Sequence, residues 1–318
     1  KGRCGDIQAY QELVRLGEGG DQLATGFQAH IAMLSDLTVV PQDSKLATSL
    51  YTDIMPWLLE MESVREYENL AHVWFLLGFA HCNSVGLTLP DKSRGIEYYE
   101  LSAAKGHPVA MCSLGYCYDV GIGVVQSFIK AFKYYRLSAD MGFAVAQSNV
   151  GLCYEEGAGC AQDISQAVLY TKLSAEQGFA SALYGMALFH LNGTHVEHNY
   201  YLATSYALKG SAQGHMSSMH VMASFYLNGQ GVHEDRKKGI ELYFSAANRG
   251  HQSSQVDLGI RLCRGLGVTS DIIEGVRYLR KAISGQGDDR DENMTAEAKK
   301  EIDLHMDMYK KLVWLHRR

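Results

Sequence analysis

A chain of 318 residues that is 47% hydrophobic and 20% charged has the composition of folded globular material, and a formal net charge of −6 leaves no basic field for nucleic acid. It holds only four prolines and no run of 18 apolar residues, so an all-α protein without membrane insertion is expected. Length alone would allow two domains, and a start at Lys1 reads as a fragment or processed form.

Residues 1–70 read as helical but follow no repeat. "DIQAYQELVRL", "QLATGFQAHIAML" and "LATSLYTDIMPWLLEMESV" are each amphipathic, with Pro56 expected to kink the third. A helical cap, or degenerate repeats, is predicted over this stretch.

From residue 71 to 289 the chain repeats itself every 36 residues. Gly121, Gly157, Gly193, Gly229 and Gly265 form one column, and Gly106, Gly142, Gly178, Gly214 and Gly250 another. Gly115, Gly151, Ala187, Ala223 and Gly259 share a phase, as do Ala110, Ala146, Ala182, Ser218 and Ser254. Tyr98, Tyr134, Tyr170, Tyr206 and Tyr278 keep a fifth, with Leu242 in the gap. One unit shows how each should fold. "AQSNVGLCYEEG" spaces its small and apolar residues for one helical face and ends at Gly157, where glycine takes a left-handed cap without steric cost. After the loop "AGCAQD", Asp163 is placed to cap a second helix, with Gln166 as its capping-box partner, and Gly178 ends it. Small residues at the columns of Ala110 and Gly115 let the helices approach, and the Tyr134 column is expected to fill the other side.

The motifs that could carry chemistry read better as architecture. "GIGVVQ", "GQGVHE" and "GLGVTS" follow helices and lack the Lys-Ser/Thr of a phosphate loop. "HLNGTHVEH" brings His190, His195 and His198 into one helix end and loop, but an exposed loop after a packed helix is the plainer reading than a zinc site. "GDDRDEN" lacks the alternating ligands of a calcium loop. No serine-elbow, zincin or Cys-His signature occurs, so no catalytic residue, metal or cofactor is assigned and no small-molecule substrate is expected. The cysteines are seven in number and form no CxxC pair. Cys117 and Cys153 share a column, which argues for core packing and a reducing compartment, the cytosol or an organelle matrix. Two sequons, at Asn192 and Asn293, keep the ER lumen open.

Residues 290–318 predict one strong helix with Ile302, Met306, Tyr309, Leu312 and Val313 on one side. It either caps the last repeat or docks a partner.

The columns resemble the Sel-one-like repeat family, relatives of the tetratricopeptide repeats. The matching residues are Leu114-Gly115, Tyr118, Gly121, Gly123, Val124, Ala131, Tyr134, Ala139 and Gly142, and again Gly229-Gln230-Gly231-Val232, Tyr243, Ala246-Ala247 and Gly250. The resemblance covers about residues 70–288; His195 replaces the second loop glycine of one unit and Cys160 a valine of another. It implies a right-handed α/α superhelical solenoid of about six helix-pair repeats with helical caps at both ends, and adaptor function.

In such a stack the first helices usually line the concave side, and the positions they do not need for packing carry the information. These form a stripe at i, i+3 and i+7: Ser113, Tyr116, Val120; Asn149, Leu152, Glu156; Gly185, Leu188, Asn192; Val221, Ser224, Asn228; Asp257, Ile260, Arg264. An apolar centre with amide and charged edges suits a partner peptide or helix. The expected function is a non-catalytic protein–protein interaction scaffold, adaptor or structural subunit, with a regulatory or substrate-recruiting arm of a larger enzyme as the alternative.

Overall fold

The computed structural model describes residues 15–33, 44–63, 70–193, 195–284 and 292–315, and among these there is no β-strand. Most of the first amphipathic stretch, Cys4, Thr194 of the first sequon and most of the acidic loop lie outside the described residues, as do the side chains of Met306, Tyr309, Leu312 and Val313. The helices in chain order are α1 (Gln22–Met33), α2 (Ser44–Ser63), α3 (Leu70–Asn83), α4 (Lys92–Ala104), α5 (Pro108–Val120), α6 (Phe128–Asp140), α7 (Ala144–Glu156), α8 (Ile164–Glu176), α9 (Ala180–Asn192), α10 (Tyr200–Ala212), α11 (Met216–Asn228), α12 (Arg236–Asn248), α13 (Gln252–Arg264), α14 (Ile272–Ser284) and α15 (Glu292–Leu315). α2 runs through Pro56 as one helix.

From α3 to α14 the helices come in pairs, one pair per repeat. Every first helix from α5 to α13 has 13 residues, as has every second helix. Gly121, Gly157, Gly229 and Gly265 end first helices in the left-handed conformation, at φ between 66° and 85°. Asp163 caps α8 as expected, its Oδ1 accepting the Gln166 N–H at 3.1 Å. The reciprocal arm of the capping box goes elsewhere: the Asp163 N–H donates to the Tyr154 carbonyl at 2.9 Å. The same loop clamp recurs from Ser127 to Tyr118, Asn199 to His190, Asp235 to Tyr226 and Asp271 to Leu262, which makes each pair antiparallel.

Packing within a pair follows the small-residue columns, with one shift of register. A Cβ on Gly115 would stand 2.5 Å from the Tyr135 ring, and one on Gly78 2.6 Å from Tyr99. The ring that fills the glycine notch is therefore the residue after the Tyr134 column. Tyr134 itself stacks on Tyr118 at 5.7 Å. Serines bolt the pair at its other end: Ser102 Oγ donates to the Ala71 carbonyl at 2.6 Å, Ser138 to Pro108 at 2.7 Å and Ser174 to Ala144 at 2.7 Å.

The chain divides into two compact units, Lys1–Met186 and Ala187–Arg318, the division falling inside α9. In the first, Tyr51, Ile54 and Leu58 of α2 share one apolar core with Phe75 and Leu76 of α3 and the repeats that follow. In the second, Ala298 of α15 is fully buried against Val256, Cys263 and Leu279 of the last repeat.

Candidate interaction surface

A first helix is buried on the faces toward its partner helix and its neighbours, and one edge remains. In the first unit that edge exposes Tyr116 at 52%, Val120 at 54% and Leu152 at 51% of their surfaces, with Glu156 also exposed. Ser113, Asn149 and Gly185 are half-buried beside them. Two of these have structural partners. Ser113 hydrogen-bonds the buried Tyr99 hydroxyl, and Asn149 Nδ2 donates to Cys112 Sγ at 3.8 Å. That last contact places α5 and α7 side by side.

In the second unit the same stripe is more occupied. Asn192 and Asn228 are exposed, and Leu188, Ser224, Asp257 and Ile260 half-buried. Val221 is a correction: it is buried at 8% exposure, a core residue that offers no surface to a partner. Asn228 Nδ2 donates to Ser224 Oγ at 3.3 Å. Burial pushes the Asp257 carboxyl up, against the opposing pull of its hydrogen bond to Tyr243 and of Arg261. Arg264 is engaged within the chain: its Nε and Nη2 reach the two carboxylate oxygens of Glu301 at 2.8 and 2.5 Å. Glu301 is buried on α15, and the Arg264 bond holds its carboxyl below the usual range.

The histidine loop does not gather. His190 Nδ1 lies 3.2 Å from the Glu197 carbonyl and its ring stacks on Tyr206, while His198 sits edge-on to Tyr200. Among the described residues no group of three His, Cys, Asp or Glu side chains is placed to hold a metal ion. Burial pushes the thiols of Cys112 and Cys153 up to about 12 and that of Cys263 to about 11, so at neutral pH they carry almost no thiolate to act as nucleophile or ligand. No described helix is long and apolar enough to cross a membrane.

A second set of periodic polar residues went unnoticed in the sequence. His107, His215 and His251 are the N-caps of α5, α11 and α13, each accepting an N–H through Nδ1. Phe143 and Phe179 stand at the same column before α7 and α9. Beside the last cap, Ser254 Oγ lies 2.9 Å from His251 Nδ1 and 3.1 Å from His220 Nδ1. Burial lowers His107, His220 and His251 to about 4, and keeps the imidazoles neutral acceptors. The 36-residue spacing of the caps was the available signal.

Comparison with known proteins agrees with this geometry. The Sel1 repeat matches six times, at residues 75–107, 108–143, 144–179, 180–215, 217–251 and 252–286. Among solved structures, the chain is similar to a Sel1 repeat protein from Oxalobacter formigenes, at 20% identity and TM-score 0.70, covering 84% of this chain and 98% of that one. It is also similar to c5321, a protective antigen of uropathogenic Escherichia coli strains with an SLR fold, at 21% identity and TM-score 0.62, covering 93% of this chain and 64% of that one. No curated protein matches.

Proposed function

Because the chain belongs to the Sel1 repeat family, whose members generally act as protein–protein interaction scaffolds, we propose that it is a non-catalytic scaffold, adaptor or structural subunit that holds a partner peptide or helix on its first-helix face. In stacks of helix pairs the first helices usually form the binding side. The observation that carries the reading is the apolar column of Tyr116, Val120 and Leu152, more than half exposed where folding alone gives no reason for large apolar groups. Residues 1–70 and 290–318 then serve as helical caps on the repeats of 71–289.

Affinity capture tests it, with the wild-type chain beside a Leu152→Arg, Leu188→Arg variant shown by circular dichroism to be folded. An arginine forced into an apolar interface is left desolvated and unpaired, at a cost of several kcal/mol. The variant is expected to lose its partners. A folded variant that retains all of them rejects the first-helix face as the site.

A further inference from the structure

Three carboxylates on and beside the stripe are placed against the interests of the helices that carry them. Asp119 lies in the last turn of α5, and Glu155 and Glu156 in the last turn of α7. A helix C-terminus already presents negative charge, so acidic groups there are unfavourable and cations favoured. Neither helix has a basic residue in its last turn. Among the described residues no Lys, Arg or His lies within ion-pairing distance of the three carboxylates. Asp119 does accept the Tyr135 hydroxyl, at 3.4 Å. The Glu155 carboxyl is raised by desolvation and, second, by the negative charge of the neighbouring Glu156.

These groups flank the exposed apolar column, one turn on from Tyr116 and Leu152. The second helices offer a contrast. They also expose a leucine column, Leu101, Leu137 and Leu173. Beside Leu137 on α6 and Leu173 on α8 the neighbouring charges are already matched, Arg136 with Asp140 and Lys172 with Glu176. On α5 and α7 the negative charge is left unanswered next to the apolar anchors.

The spacing sets the form of the answer. Asn149 of α7 reaches Cys112 of α5, so the two first helices are neighbours in the stack. An α-helix laid across neighbouring helices presents apolar residues two turns, seven residues or roughly 10 Å, apart on one side. We infer that this part of the first-helix face binds a cationic amphipathic helix, with apolar residues seven apart seated on Tyr116 and Val120 and on Leu152, and Lys or Arg side chains meeting Asp119, Glu155 and Glu156. The inference rests on the scaffold reading and specifies the partner's chemistry.

The probe is a fluorescent helical peptide with leucines seven residues apart and flanking lysines, compared with the same peptide carrying glutamates for the lysines. Binding to the full chain is read by anisotropy. The lysine peptide should bind at least tenfold more tightly, and the difference should shrink with added salt. Glu155→Lys with Glu156→Lys should abolish the preference. Glu97→Lys with Glu100→Lys, an equal change in net charge on α4, should leave it in place. Equal weakening by both pairs means that only net charge is felt and overturns the site. Equal binding of the two peptides, lost in Leu152→Arg, overturns the cationic partner while leaving the scaffold reading intact. Lysine-peptide binding that survives Leu152→Arg, or no binding of either peptide at ~0.1 mM, also overturns the inference. Failure of the capture experiment, by contrast, removes the scaffold site itself.

Discussion

At position 195 a histidine stands where Gly123, Gly159, Gly231 and Gly267 stand in the other repeats, and it keeps their backbone, with φ at 55° against 69–77° for the glycines. A side chain in the left-handed region brings Cβ against the following carbonyl, at a cost of roughly 1–2 kcal/mol. His195→Gly is therefore expected to stabilise the chain by about 1 kcal/mol, less what glycine gains in the unfolded state. A thermal melt with no upward shift would show that the loop has found another way to relieve the strain. The position was legible in the sequence as a broken column. Other single residues were not. Periodicity gave the glycine notch, but the choice between Tyr134 and Tyr135 as the ring that fills it depends on the rotation of the second helix, which two adjacent tyrosines leave undetermined. Val221 falls on the i, i+3, i+7 stripe by spacing alone, in a column that is half-buried at Ser113 and Asn149. In α11 that position is closed over, and no spacing rule reports burial by a neighbour.

α15 is held to the last repeat by a polar contact as well as by the apolar packing of Ala298. Arg264, half exposed on α13, forms a two-pronged bond to Glu301, which is buried together with His305. Arg264→Met would keep most of the packing of the arginine stem and leave the carboxylate without its main partner. Discounted for the exposure of Arg264, the expected loss is about 1–2 kcal/mol, concentrated in α15. Hydrogen exchange should show faster exchange in α15 than in α13. Uniform change across the chain, or none, would mean that the apolar contact of Ala298 holds the helix unaided. The sequence announced this helix by its amphipathic face, yet it placed Arg264 in the partner stripe. A helix 37 residues further along the chain supplies the carboxylate, and helical periodicity carries no information at that range.

For the whole molecule, the buried histidines tie folding to pH. His107, His220 and His251 fall to about 4 in the folded chain against 6.5 when free. The folded state thus binds fewer protons than the unfolded one between these values, so stability is complete above pH 6.5 and is lost as pH falls toward 4. At pH 5.5, one unit below the free value, each contributes a loss of roughly 1 kcal/mol. Denaturant midpoints at pH 7.5 and 5.5 should differ accordingly, and His107→Asn, which retains a capping side chain that does not titrate, should narrow the gap. A midpoint unchanged between the two values would contradict the neutral-cap assignment. The six-repeat, all-helical architecture was readable from the chain because one period organised five columns at once. The caps shared that period but fall in only three repeats, too sparse to stand out.

That sparseness gives acid a direction in which to act. The caps of α5, α11 and α13 are imidazoles, whereas Phe143, before α7, makes no side-chain cap bond and has nothing to titrate, and Phe179 occupies the same place before α9. Stability in a repeat chain is local, summed from each unit and its neighbours, so a perturbation confined to some units need not melt the rest. Mild acidification should first loosen the helix pairs that hold histidines lowered by burial, the first (His72, His81), second (His107), fifth (His220) and sixth (His251), and spare the third and fourth. The order of disassembly thus follows where buried histidines fall along the chain.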